Sequence, residues 1–209
     1  MLSRARLVLR QAPCSVSWRR SALLSTAAPS SSPSSATPQH AFDAAVRALE
    51  GSGVELDNQQ KLTAWGREQS AKTGRNLRKL VGDESVRFFY SPYLRARQTL
   101  LAILQAFDSE SIPLSMETRL REQDFGNFQD PASVARAKEE RARFGRFFYR
   151  FPNGESGADV YDRVSTWLES LHRELEYGVA MSADSTVLLV THGLTARLFL
   201  MRWYRWSVD

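Results

Sequence analysis

The stretch TVLLVTHGLTARLF, residues 186–199, decides the class of the fold. Apolar and β-branched residues run into Thr191, His192 and Gly193, and a helical pattern begins just after. A short apolar run closed by a turn signal reads as a buried strand. Here that strand, over 186–191, passes through His-Gly directly into a helix expected over about 194–206. The chain holds only three histidines, so one at the tip of a buried strand is either a satisfied structural imidazole or a group placed for chemistry.

Working outward, the same unit recurs. SVRFFYSPYLRARQTLLAILQAF, residues 85–107, places a strand over 86–90, a Ser-Pro turn, and a helix with Leu94, Leu101, Ile103 and Leu104 near helical spacing. LTAWGREQSAKTGRNLRKLVG, residues 62–82, reads as a helix with Thr63 as N-cap and Gly82 near its stop. PLSMETRLRE, residues 113–122, predicts a short strand, and AFDAAVRALEGSG, residues 41–53, a short helix. SVARAKEERARFGRFFYRF, residues 133–151, reads as one helix, polar first and aromatic later. The clearest amphipathic helix is ADVYDRVSTWLESLHRELEY, residues 158–177, whose stripe is Val160, Val164, Trp167, Leu168, Leu171 and Leu175. Strands separated by helices predict an α/β fold with a mainly parallel sheet.

Composition bounds the rest. Of 209 residues, 43% are hydrophobic, enough for a core. The net charge of +5 is carried by the first 42 residues, which hold five arginines and no acid. From position 43 onward 23 basic residues face 23 acidic ones, so the body is neutral and offers no general nucleic-acid surface. The single cysteine, Cys14, leaves no disulfide and no cysteine metal site in the body. Residues 1–38 combine an Arg/Ser/Leu/Ala-rich, acid-free segment with a Ser/Pro linker, which is transit-peptide composition. Mitochondrial targeting is the expectation, with plastid and cytoplasmic locations as alternatives. No run approaches the ~20 apolar residues needed to cross a bilayer, so no membrane partner is expected. The globular domain is expected over 42–206.

In α/β sheets, ligands sit outside the carboxyl ends of the strands. Two strand ends stand out, FFYSPYLRARQT and LLVTHGLT, each passing into a helix start that offers amides and a positive end to an anion. Arg95, four residues after Ser91, is suited to clamping phosphate oxygens.

LTAWGREQSAKTG, SPYLRARQT, LREQDFGNFQ and VTHGLTARL occur in an order that resembles the histidine phosphatase superfamily, also called phosphoglycerate-mutase-like, from about Leu62 to Trp206. The resemblance implies a three-layer α/β fold and phosphoryl transfer or phosphate-ester hydrolysis through a phosphohistidine, with no cofactor and no metal. By motif position it implies that His192 stabilises the transferring phosphoryl group beside Gly193, that Arg95 clamps the phosphate, and that Glu122 protonates the leaving oxygen. It also implies an Arg-His-Gly nucleophile at the end of an interior first strand, and the chain has no such motif. His172 lies mid-helix among charges and reads as a surface residue; His40 has neither neighbour of the motif. The nearest stretch is ARLVLRQAP, residues 5–13, where Leu7, Val8 and Leu9 form a possible strand, Arg10 meets the motif arginine and Gln11 takes the histidine position. The first strand is therefore expected to be missing or degenerate. An incomplete gene model or splice form, an inactive pseudophosphatase that binds a phosphorylated ligand, an enzyme with another nucleophile and a non-catalytic interaction module all stay open.

Overall fold

The computed structural model describes residues 7–11, 59–107, 112–126, 131–177 and 185–208. Four strands and five α-helices alternate along them: β1 (Leu7–Gln11), α1 (Ala64–Val81), β2 (Ser85–Tyr90), α2 (Leu94–Leu104), β3 (Leu114–Met116), α3 (Pro131–Phe144), α4 (Gly157–Tyr177), β4 (Ser185–Thr191) and α5 (Gly193–Tyr204). A 3-10 turn, Thr118–Leu120, precedes the Glu122 segment. The expected helix at 41–53, His40 and Cys14 lie outside the described residues.

The sheet order is β1-β4-β2-β3, and every pairing is parallel. The α/β class and the parallel sheet expected from the sequence are what the chain adopts. β4 is covered on both faces, which is why it reads as a continuous apolar run rather than an alternating one. Val187 and Leu189 turn to one side, where Val160, Val164, Trp167, Leu168 and Leu171 of α4 meet Leu198 and Phe199 of α5. Leu188 and Val190 turn to the other, against Leu77 and Val81 of α1 and Leu100 and Ile103 of α2. The α4 stripe predicted from its spacing is thus the core of one layer, each buried side chain contributing about 1.5–3 kcal/mol. In α2, Leu101 is only half-buried and Leu100 fills the core position instead.

Local signals hold at helix ends. The Thr63 hydroxyl accepts a hydrogen bond from the Gly66 N–H at 3.0 Å, capping α1, and Gly82 closes the helix. The single helix expected over 133–151 is shorter: α3 stops at Phe144, because Gly145 takes a left-handed φ of 92° that a helix cannot continue through. The aromatic half, Arg146 to Phe151, is an irregular arm beyond it.

Leu7–Gln11, the stretch weighed as a degenerate first strand, pairs in register with β4, Leu9 against Leu189 and Gln11 against Thr191. It lies N-terminal to the expected 42–206 domain, yet its backbone belongs to the sheet. The resemblance implies an interior strand at this place; among the described residues β1 pairs on one side only.

Candidate active site

β2 and β4 are neighbours, with Tyr90 level with Val190, so the turns that follow them lie side by side. The first turn carries Ser91, Tyr93 and Arg95; the second carries His192 and Gly193. The Ser91 N–H donates to the Val190 carbonyl at 2.9 Å, extending the register by one residue. This brings the Ser91 hydroxyl 2.6 Å from His192 Nε2, with Ser91 at 0% and His192 at 3% exposure. Ser91 Oγ also accepts from the Tyr93 N–H at 3.3 Å. The hydroxyl can donate to Nε2 or accept from it, and the imidazole tautomer sets which.

Tyr93 separates and links His192 and Arg95. Its ring meets the His192 ring edge-on at 5.0 Å, and the Arg95 guanidinium lies over it at 4.9 Å. Arg95 is half-buried at the second position of α2, while His192 is the N-cap of α5 with extended backbone. Burial, and then the positive charges of Arg95 and Arg163, push the His192 pKa down from 6.5 to about 3. The imidazole is therefore neutral at physiological pH, a donor in a field made for an anion.

Glu122 arrives from the other side. Its Oε1 accepts from the Gln123 N–H at 3.0 Å and faces the Thr195 hydroxyl at 3.3 Å, one turn into α5 from His192. Thr195 is fully buried and donates to the Arg121 carbonyl at 2.7 Å, while the Thr191 hydroxyl donates to the Leu120 carbonyl at 2.6 Å. The strand end and helix start that carry His192 thus hold the segment that carries Glu122.

Arg163 of α4, absent from any sequence expectation, fixes that segment from below. Its guanidinium donates to the carbonyls of Arg119 (2.5 Å), Arg121 (2.9 Å) and Glu122 (3.1 Å), and forks onto both oxygens of Glu155 at 3.0 Å. Glu155 also pairs with Arg121 and accepts from the Asp124 N–H at 3.0 Å. Burial alone would raise the Glu155 pKa, but its bonds to Arg163 and Asp124 outweigh that and hold it below the ordinary carboxylate value. Arg163 and Glu155 are eight positions apart, one of them ahead of the helix, so no periodicity marks them as a pair.

Sequence reasoning therefore named four residues, His192, Gly193, Arg95 and Glu122, that stand on adjoining turns at one end of the sheet. It missed Ser91 as the partner of His192, Tyr93 between His192 and Arg95, and the Arg163–Glu155 clamp. His172 is exposed on α4 and stacks on Trp203 at 5.8 Å, away from these turns. Gln11 ends β1 level with Thr191, one residue before His192.

The sequence model of the histidine phosphatase superfamily, branch 1, matches residues 52–209. The chain belongs to the histidine phosphatase superfamily. It is 44% identical over 165 residues to the phosphoglycerate mutase-like protein AT74H of Arabidopsis thaliana, covering 73% of this chain and 59% of that protein. It is 48% identical over 93 residues to the broad-range acid phosphatase DET1 of Saccharomyces cerevisiae, covering 44% of this chain and 28% of that enzyme. The chain thus spans less than two thirds of the length of these relatives. Among solved structures, a mycobacterial glucosyl-3-phosphoglycerate phosphatase in complex with VO3 superposes with a TM-score of 0.54 at 25% identity, over 74% of this chain and 72% of that one. Among the described residues, no helix is long and apolar enough to cross a membrane.

Proposed function

We propose that this chain carries the phosphate-binding half of a histidine phosphatase site and does not by itself turn over phosphate esters through a phosphohistidine. The observation that carries the reading is the adjoining pair of turns, with Arg95 and a neutral, buried His192 on either side of Tyr93. A phosphoryl group placed there meets a guanidinium, an imidazole N–H and the amides that open α2 and α5, which is the donor set that phosphoryl transfer needs preorganised. Glu122, held by Thr195 and Gln123, is the group that gives a proton to a leaving oxygen. The nucleophile is what the set lacks: in parallel register, the end of β1 presents Gln11 beside Thr191. A carboxamide offers no useful lone pair for attack on phosphorus. The ligand is a phosphate ester, and the kinship with acid phosphatase DET1 supports that class.

The test is direct. Inorganic phosphate or vanadate is titrated calorimetrically into the purified full-length chain and into Arg95→Ala. Weak, about millimolar binding is expected, lost by about tenfold or more in the variant, since a charge-assisted hydrogen bond is worth about 1.5–3 kcal/mol. In parallel, phosphate-ester hydrolysis is expected at background, with no acid-labile phosphoprotein. Binding unchanged in Arg95→Ala, or phosphate-ester hydrolysis above background, overturns the reading.

A further inference from the structure

Tyr93 stands where the two strand-end turns meet, and its backbone is tied down on both sides. It is the N-cap of α2, with extended backbone at φ −65° and ψ 139°. Its carbonyl accepts the Ala96 and Arg97 N–H groups at 3.0 and 3.1 Å, and its own N–H donates to Ser91 Oγ at 3.3 Å. The same Ser91 hydroxyl meets His192 Nε2 at 2.6 Å. The next residue, Leu94, is buried and anchors the first turn of the helix. Tyr93 is therefore held in fixed relation to His192.

Its side chain makes a contact that helical spacing does not supply. Within a helix, residues two apart do not face each other. Arg95 follows Tyr93 by two positions, yet its guanidinium lies over the Tyr93 ring at 4.9 Å. The contact exists because Tyr93 keeps the extended conformation of a cap residue rather than the helical one. The same ring meets His192 at 5.0 Å and 62°. One side chain thus touches both of the groups that would grip a phosphate. A flexible arginine stem loses rotamer freedom when its fork clamps an anion. A guanidinium already drawn to an aromatic face has given up part of that freedom in advance, and the attraction consumes none of its N–H donors.

We infer that Tyr93 is a positioning residue of the anion site: it presets the Arg95 guanidinium against His192, so that both meet one phosphate group without first being ordered. The inference rests on the phosphate reading of these turns and adds a residue that acts through Arg95. A ring that only filled space would be matched by an apolar side chain of similar bulk. A ring that holds a cation is matched only by another aromatic face.

The test uses the full chain and inorganic phosphate, titrated with detection by NMR. Tyr93→Leu is expected to weaken binding about three- to tenfold, and Tyr93→Phe to bind as the native chain does. In the Arg95→Ala background, Tyr93→Leu should change the affinity no further, because residues that act through one contact are not additive. Unaltered affinity in Tyr93→Leu, an equal loss in Tyr93→Phe, or a Tyr93→Leu loss of the same size with and without Arg95 overturns the inference while the phosphate site stands. A second measurement needs no Tyr93 variant to fold. In the native chain without phosphate, the Arg95 Nε–H resonance, assigned by its loss in Arg95→Ala, should be shifted upfield by the ring. A position typical of a solvated arginine overturns the inference as well. Failure of inorganic phosphate to bind the native chain overturns the phosphate reading, and this inference with it.

Discussion

The Ser91 hydroxyl and the His192 imidazole, 101 positions apart in sequence, meet at 2.6 Å in the interior between two neighbouring strand ends. The contact gives Nε2 of a neutral His192 a buried partner. It also makes the site sensitive to acid, because protonating a buried imidazole that faces Arg95 and Arg163 is costly.

Acid unfolding reads this directly. The unfolded chain protonates His192 at the ordinary 6.5, whereas the folded site resists until about 3. Between those values the unfolded state binds more protons, so stability rises with pH and is lost as pH falls from 6.5 toward about 3. Each unit costs about 1.4 kcal/mol. Glu155 and Asp159, held below their ordinary pKa values of 4.5 and 3.8, add a loss only at lower pH, as their folded forms protonate. Urea unfolding at stepped pH should show the first slope in the native sequence and not in His192→Asn. Ser91→Ala should cost about 1–3 kcal/mol at pH 7 by leaving Nε2 unpaired. A slope that survives His192→Asn would assign it to another group.

Arg163 should matter more than its distance from any reacting atom implies. Arg163→Met removes a donor from the Arg119, Arg121 and Glu122 carbonyls and leaves Glu155 with Arg121 and the Asp124 N–H. Removing one partner of a buried pair costs about 3–5 kcal/mol, or roughly 6–20 °C in melting temperature for a chain of this size. Scanning calorimetry of Arg163→Met beside Glu155→Gln checks it; a shift below a degree or two would show the clamp to be replaceable.

β1 is tested by removal. Without residues 1–38, β4 loses the partner it holds from Leu7 to Gln11 and presents an open edge. Ladder bonds are worth about 1 kcal/mol each net, against a total domain stability of about 5–15 kcal/mol. Fragment 39–209 should melt well below the full chain and aggregate on heating. Equal, sharp melting of the two would take β1 out of the stability of the fold and favour a leader that is cut away after targeting.

Much of this protein is legible in the order of its residues because the signals are local. Apolar runs closed by Ser-Pro and His-Gly mark β2 and β4, Thr63 caps its own helix, and the α4 stripe follows from a period of 3.6. Motif order likewise brought Arg95, Glu122, His192 and Gly193 forward as one group, since each sits at a fixed offset from a strand end. What tertiary structure alone decided are contacts between residues far apart in the chain. Leu7–Gln11 is basic, leader-like sequence until β4 supplies a partner for its backbone, because strand pairing depends on an edge that lies some 180 residues away. Ser91 is an ordinary turn residue until parallel register sets it against His192. Arg163 reads as one more exposed helix charge until three backbone carbonyls and Glu155 converge on it. Arg141 looks like its solvated neighbours until the arm past Gly145 folds Phe151 beneath it and takes its Nε out of water. Burial and hydrogen-bond satisfaction are properties of the packed chain, and no spacing within a helix or strand encodes them.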